Sequence, residues 1–454
     1  MTPHSFLPAI SSFIARTEFA DIPLEAKERA TQVILDSVGA IVGGMAEPDM
    51  QRLIAMPQPA GASTVLGTSR MTDGPTAAFL NGMAGTVLEM DEGSQFARGH
   101  PGMHVFPALL AASADNSFSG PSSGSSSGCD FLHAFIIGYD VAARAGIGTK
   151  LRMNMHPHGT WGTLGAAAAI AVLHRLDENQ SSELLNIASS LTLATSRKTM
   201  LEGGTVRNAY TGVSNQMALL AFRLWQAGIS GEHDGVSSVF GDVVSTGFDH
   251  EAACEGIGDR FEITRNYFKL HACCRYNHAA LDALVTLMDQ HEQIGNHELI
   301  DRIEVNSYSL AAELDDQAPR NMLAAKFSVP FAVATTLVTG DTGVESFSGD
   351  ALTDPKTLAL ATRVTVREDH AMTAKLPDLR PASVTIFMQD GSRFEASVET
   401  NRGDWQDPYN PDQLVQKYLS LTRRLWPENL CVQIANHIQN LEQVADIDDL
   451  FRNA

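Results

Sequence analysis

The chain has 454 residues and a formal net charge of −21, from 53 Asp and Glu against 32 Lys and Arg. No run of Lys or Arg relieves that balance, which argues against nucleic acid or an anionic membrane as a partner. An acidic small molecule stays open if the few cations converge in one low-dielectric cleft.

The N-terminal stretch MTPHSFLPAISSFIARTEF lacks a basic segment followed by a long apolar one, so no export is expected. Residues 23–44 begin with Pro and acids, place Ala30, Val33, Ile34, Val38 and Ile41 at helical spacing, and end on glycines; they predict an amphipathic helix. Similar Ala- and Leu-rich patterns predict helices over 75–90, 104–114, 130–145, 162–174, 181–195 and 213–227, and STVLG at 63–67 is the one strand expected in this half. The segment SFSGPSSGSSSG, 117–128, reads as a mobile surface loop without chemistry. Residues 1 to about 265 therefore read as a mostly helical domain whose small side chains let helix axes approach closely.

Beyond residue 265 the texture alternates: 302–309, 363–369 and 382–400 read as strands, Asp390-Gly391 as a hairpin turn, and 277–290 and 322–339 as helices. That predicts an α+β unit over about 266–402. The tail, 403–454, is helical again and is expected to pack back on the first domain. The fold class is thus mainly α, with a large all-helical domain and a smaller α+β lid. Five cysteines, Cys129, Cys254, Cys273, Cys274 and Cys431, form no framework and point to reduced thiols in a cytoplasm; no apolar run is long enough for a bilayer span.

Four clusters carry candidate chemistry. The first is LEMDEGSQFARGHPGMH, 88–104, with Glu89, Asp91, Glu92, Arg98, His100 and His104. A metal cage needs His100 and His104 on one helical face, but Pro101-Gly102 between them is a poor helix interior, so the helix is expected to begin near 103. Proton transfer or substrate positioning by His100 and a merely structural turn both remain open. The carboxylates would orient the imidazole or raise its pKa, and the free N–H groups of the helix start, with Arg98, favour an anion. In HPHGTWGT, His156 and His158 flank a proline before an Ala-rich buried helix, a place equally suited to a functional or a structural His. EGGTVRNAYTG, 202–212, offers Arg207 and Tyr210 in a Gly-flanked loop; Arg207 reads as a carboxylate clamp or a surface charge, and Lys198 nearby as a weaker candidate. In KLHACCRYNHAALDAL, Lys269, His271, Arg275 and His278 crowd the junction of the two units. Desolvation there would lower the pKa of Lys269 and make it a usable base. Cys273-Cys274 lack a C-x-x-C partner, so no metal or thiol role is assigned.

Taken in order, LEMDEG…ARGHPG, GYDVAARAG, HPHGTWGTLGAAAA, EGGTVRNAYTG and KLHACCRYNHAALDAL, with LDSVGAIVGG and AKFSVPFAVA, resemble the MmgE/PrpD superfamily of 2-methylcitrate dehydratase, cis-aconitate decarboxylase and iminodisuccinate epimerase. The resemblance implies a helical domain and an α+β lid with the site between them, a homodimer, and catalysis without a metal or organic cofactor. It makes His100, His156 and Lys269 the catalytic candidates, with Glu89, Asp91, Arg98, Arg207, Tyr210 and Arg275 on a small di- or tricarboxylate. The implied reaction is that of a lyase, dehydratase or decarboxylase; an isomerase or epimerase and a non-catalytic carboxylate-binding homologue are the alternatives. Arg207 and Tyr210 stand where the decarboxylases carry Lys and His, Gly93 where many members have Thr, and Phe331 where the decarboxylases have Tyr. These changes point away from cis-aconitate itself, although Arg207 still suits a carboxylate.

Overall fold

The computed structural model describes residues 5–114 and 126–452. Helices Leu24–Met45, Gly74–Val87, Pro101–Ala114, Gly128–Gly148, Gly162–Leu173, Glu178–Ser190 and Ala209–Gln226 pack around one apolar core. Its centre is the crossing of Gly128–Gly148 with the Ala-rich Gly162–Leu173. Small side chains make that crossing possible: a methyl group on Gly165 would lie 2.5 Å from Ala142 Cβ and 2.7 Å from Gly138 O.

Several boundaries differ from the sequence reading. The helix after His100 begins at Pro101, not near 103, because a first-turn residue needs no N–H and the proline ring already has helical φ. The helix expected over 181–195 ends at Ser190, and an unanticipated helix covers Phe6–Arg16. STVLG supplies only Ser63–Thr64, paired with Met71–Thr72, and a second short ribbon joins Thr149–Leu151 to Ser245–Phe248. Of the low-complexity segment, 117–125 lies outside the described residues; Ser127 caps the next helix by accepting from Asp130 N at 3.1 Å.

Pro107 sits inside the helix Pro101–Ala114 and cannot donate to Met103 O. Asn215, from Ala209–Gln226, replaces the missing donor: its Nδ2 donates to Met103 O at 3.1 Å and its Oδ1 accepts from Ala108 N at 2.8 Å. Asn215→Leu keeps the volume and leaves both backbone groups unpaired, so urea unfolding is expected to show a loss of roughly 3 kcal/mol.

The C-terminal helices Pro411–Thr422 and Glu428–Gln439 add Leu414, Tyr418, Ile434 and Ile438 to the same core. Buried Lys417 donates to Asp36 Oδ1 at 2.5 Å and also to Met90 O, tying the C-terminal helix to Leu24–Met45 and to the acidic segment.

Residues between about 272 and 398 build a second core under a four-stranded sheet. Its order is Val364–Glu368, Ile300–Ser307, Ala382–Met388, Arg393–Val398; the first pair is parallel and the others antiparallel. Asp390-Gly391 makes the hairpin turn, with Gly391 at φ 91. Helix His278–Gln290 covers the two C-terminal strands. The helix expected over 322–339 is two, Met322–Lys326 and Val329–Thr339, because Ser328 Oγ accepts from Phe331 N at 2.9 Å and Pro330 opens the second. Phe331 is wholly buried beside Phe347 in this core. Leu88 and Met90 also belong to it, and Lys326 Nζ donates to Val87 O at 3.0 Å, so the segment after helix Gly74–Val87 runs along the seam between the two cores.

Candidate active site

A cavity of about 110 Å³ opens at that seam, a size for a small molecule and not a polymer. The helical body contributes Glu89, Arg98, His100, His156, His158 and Arg207, and the smaller unit contributes Tyr267, Cys274, Arg275, Tyr276, Phe327 and Arg380. Arg152 and Arg197 complete six arginines on its wall, against one carboxylate. In a chain of net charge −21, this is where the cations gather.

Glu89 follows the last turn of Gly74–Val87 in left-handed backbone, φ 56, a place normally given to Gly or Asn. Its carboxylate reaches Arg207 Nη1 at 2.5 Å and Lys269 Nζ at 3.6 Å. Burial opposes the charge on Glu89, but Arg207 and Lys269 outweigh it and hold the carboxyl below its usual range. Asp91 lies between Lys269 Nζ, 3.5 Å away, and His100 Nδ1, 3.0 Å away. Burial opposes its charge too, and His100 and Lys269 together hold it well below the carboxylate range.

His100 precedes helix Pro101–Ala114. Its Nδ1 donates to Glu92 O at 2.6 Å, which puts the proton of the neutral ring on Nδ1 and leaves Nε2 with a free lone pair. The Glu92 side chain acts elsewhere. Its Oε1 accepts from Gly102 N at 2.7 Å and its Oε2 from Tyr139 OH at 2.9 Å, so the helix N-terminus expected to hold a ligand anion is filled by the chain's own carboxyl. His104 is also engaged at both nitrogens, Nδ1 donating to His100 O at 2.8 Å and Nε2 accepting from Gly159 N at 3.1 Å. Burial pushes its pKa down to about 4. It is a structural residue, and the His100/His104 chelate has no free nitrogen on that side.

Burial pushes the Glu92 carboxyl up to about 8 from 4.5. The folded state then holds a proton that the unfolded chain has released, so Glu92 contributes stability at low pH that is lost as pH rises through its folded pKa. The stability difference between wild type and Glu92→Gln is expected to shrink as pH goes from 4.5 to 8. The slope is at most about 1.4 kcal/mol per pH unit. Urea titrations across that window check it; a flat or rising difference contradicts the assignment.

His156 and His158 lie in the loop before Gly162–Leu173. His156 Nδ1 accepts from His158 N at 3.1 Å. Arg207 Nε donates to the Nε2 of the same ring at 3.4 Å, so both ring nitrogens of His156 face donors. Burial, and then Arg207, push both imidazoles well below the ordinary His range, keeping them neutral. The rings of His100, His158 and His156 form an edge-to-face row with centroids 4.7 and 4.6 Å apart.

Of the residues singled out in the sequence, Glu89, Arg98, His100, His156, Arg207 and Arg275 reach the cavity wall; Asp91, Lys269 and Tyr210 do not. Tyr210 packs edge-on against His156 at 5.7 Å. Lys269 is wholly buried behind Glu89 and Asp91. Burial acts to lower its pKa as expected, but the two carboxylates override it and the pKa is raised; the amine is an ammonium. Cys274 lines the wall with its thiol pushed by burial up to about 11, and Cys273 is pushed higher, which makes poor nucleophiles of both. Among the described residues, no group of three or more His, Cys, Asp or Glu side chains is arranged to hold a metal ion.

The sequence also marks His158, beside His156, among the wall residues, but leaves Arg197, Tyr267 and Arg380 unmarked. Arg197 is one residue from Lys198, which is exposed and off the wall. Tyr267 explains Gly93: their backbones pair, and a Cβ on Gly93 would lie 2.5 Å from Tyr267 Oη, leaving no room for Thr. No signal in LPDLRPAS marks Arg380; it is a lone cation in a loop until the fold brings it to the seam.

The sequence profile of the MmgE/PrpD N-terminal domain matches residues 8–252, and that of the MmgE/PrpD C-terminal domain matches residues 271–443. A cis-aconitate decarboxylase of Aspergillus terreus is 25% identical over 456 residues, covering 95% of this chain and 92% of that protein. A cis-aconitate decarboxylase-like protein of Aspergillus oryzae is 24% identical, covering 99% and 97%. The cis-aconitate decarboxylase of Homo sapiens is 22% identical, covering 85% and 80%. No helix is long and apolar enough to cross a membrane among the described residues.

Proposed function

The chain belongs to the MmgE/PrpD family, and from that premise we propose that it is a lyase acting on a small di- or tricarboxylate by moving a proton at a carbon next to a carboxylate. The observation that carries this reading is the meeting of Arg207, His100 and His156 on one small cavity. The relatives named cis-aconitate decarboxylase support lyase chemistry. A carbanion next to a carboxylate spreads its charge onto the carboxylate oxygens, and fixed donors facing those oxygens lower the barrier.

The Arg207 guanidinium, held between Glu89 and His156, supplies the fixed donors. Asp91 orients His100 and stabilises its imidazolium, while the Lys269 ammonium, itself behind the wall, helps keep Asp91 and Glu89 ionised. From a hydroxy acid, the free Nε2 of His100 takes the proton on carbon, the C–H electrons form the double bond, and the hydroxyl leaves as water with the proton that the His100 imidazolium gives it. From an unsaturated acid, CO2 leaves, its bonding electrons stay on carbon, and His100, protonated beforehand from solvent, gives that carbon its proton. Small carboxylate in, proton exchanged at carbon: each step belongs to a side chain on this wall.

A second reading is proton removal and return on opposite faces, as an epimerase does; its two groups would be His100 and His156, which flank His158 at the ends of the imidazole row. The test is a screen of cis-aconitate, citrate, 2-methylcitrate, iminodisuccinate and tartrate. A true ligand at a hundredfold its dissociation constant adds about 2.7 kcal/mol to stability and raises the melting temperature. Mass spectrometry of the incubated hits then decides: loss of water or CO2 supports the lyase, an unchanged mass with altered optical rotation the epimerase. A screen with neither melting shift nor product overturns both.

A further inference from the structure

The smaller unit brings two arginines to the cavity that the reaction above leaves unused. Arg275, in the turn before helix His278–Gln290, is 3% exposed, and Arg380, ahead of strand Ala382–Met388, is 5% exposed. Both line the cavity. Arg275 Nη2 pairs with Asp404 Oδ2 at 2.5 Å, and its Nε and Nη1 are buried without a protein acceptor. Arg380 Nη2 donates to Gln95 O at 2.8 Å, and its Nε is buried without one.

Each guanidinium is seated on a ring, Arg275 over Tyr267 at 5.0 Å and Arg380 over Tyr276 at 5.4 Å, so their planes are fixed by packing. Asp404 neutralises one of the two charges and a carbonyl only solvates the other. The pair is therefore one anion short, with three donor nitrogens in hand. Native structures rarely leave buried guanidinium donors unmatched, and a planar carboxylate is the acceptor that suits two forks at once.

We propose that Arg275 and Arg380 form a second carboxylate subsite, which binds the carboxylate remote from the reacting carbon and makes the cavity select acids charged at both ends. This rests on the reading that Arg207 and the imidazoles hold the reacting end of a small carboxylate. Gln95 fixes the geometry: its Nε2 donates to Asp378 O at 3.0 Å while its carbonyl accepts from Arg380, so the loop that carries His100 and the loop that carries Arg380 are joined by reciprocal bonds. The distance between the two ends is then set by the fold and not by the ligand.

Calorimetric titration of the full chain with glutarate and with propane-1,2,3-tricarboxylate, each compared with pentanoate, tests it. Wild type is expected to bind at least one of the multiply charged acids about 10- to 100-fold more tightly than pentanoate. Arg380→Gln is expected to remove that preference and leave pentanoate binding unchanged, and Arg380→Lys to restore part of it. An Arg380→Gln variant that weakens all three acids equally, or none, overturns the subsite. Should that variant not fold, wild-type selectivity decides: equal affinity for the three acids overturns it. Failure of wild type to bind any of them, with no turnover of any acid, instead removes the carboxylate reading of the whole cavity, and the subsite with it.

Discussion

His100→Gln is expected to lower kcat by about 10²- to 10⁴-fold while leaving KM within a few-fold of wild type. The ring is placed for proton transfer and for little else. Its Nδ1 is spent on Glu92 O at 2.6 Å, Asp91 lies 3.0 Å from the same nitrogen, and Nε2 alone is left for the cavity. Gln retains a donor near the Glu92 carbonyl, so the loop keeps its shape and the loss falls on the step that moves hydrogen. Steady-state kinetics on the acid identified by the screen, together with an unchanged melting temperature, check this. A variant that loses KM and keeps kcat would make His100 a binding residue.

Arg207→Met is expected to cost more in stability than any other single change on the cavity wall. Arg207 and Glu89 are each 2% exposed and joined at 2.5 Å, so removing the cation leaves a carboxylate in a dry site. Breaking such a pair costs about 3–5 kcal/mol. Lys269 remains 3.6 Å from Glu89 and supplies part of the missing charge, which places the loss near the lower end. Adding Glu89→Gln removes the orphaned charge, so the double variant is expected to regain most of the stability yet bind carboxylate no better than Arg207→Met. Urea unfolding of the three variants checks the first statement and ligand titration the second.

Much of this arrangement was legible before the fold. Helical periodicity in 23–44 and the alternation in 382–400 report burial on one face, which local sequence records directly. His100 and His156 stood out because each sits beside Gly and Pro in a turn before a helix, where a side chain is free to serve a cavity. Lys269 shows what local reading lacks. Burial was inferred correctly, but the sign of its pKa shift comes from Asp91 and Glu89, nearly two hundred residues away along the chain. The same holds for the helix N-terminus at Pro101: its acceptor is the Glu92 carboxyl, folded back over ten residues, a partner that spacing alone does not assign. Pro107 and Asn215 answer each other across two helices, and Arg380 meets Gln95 across the seam, 285 residues away along the chain.

The most direct test of the account is the reaction run in deuterium oxide and followed by proton NMR, with wild type and His100→Gln side by side on the same acid. The account predicts that wild type places one deuterium on the carbon next to a carboxylate as the acid is consumed, or washes a proton out of that carbon, and that His100→Gln does so slower by about 10²-fold or more. Labelling at equal rates in the two proteins, or turnover by wild type with no solvent hydrogen entering or leaving that carbon, would contradict it.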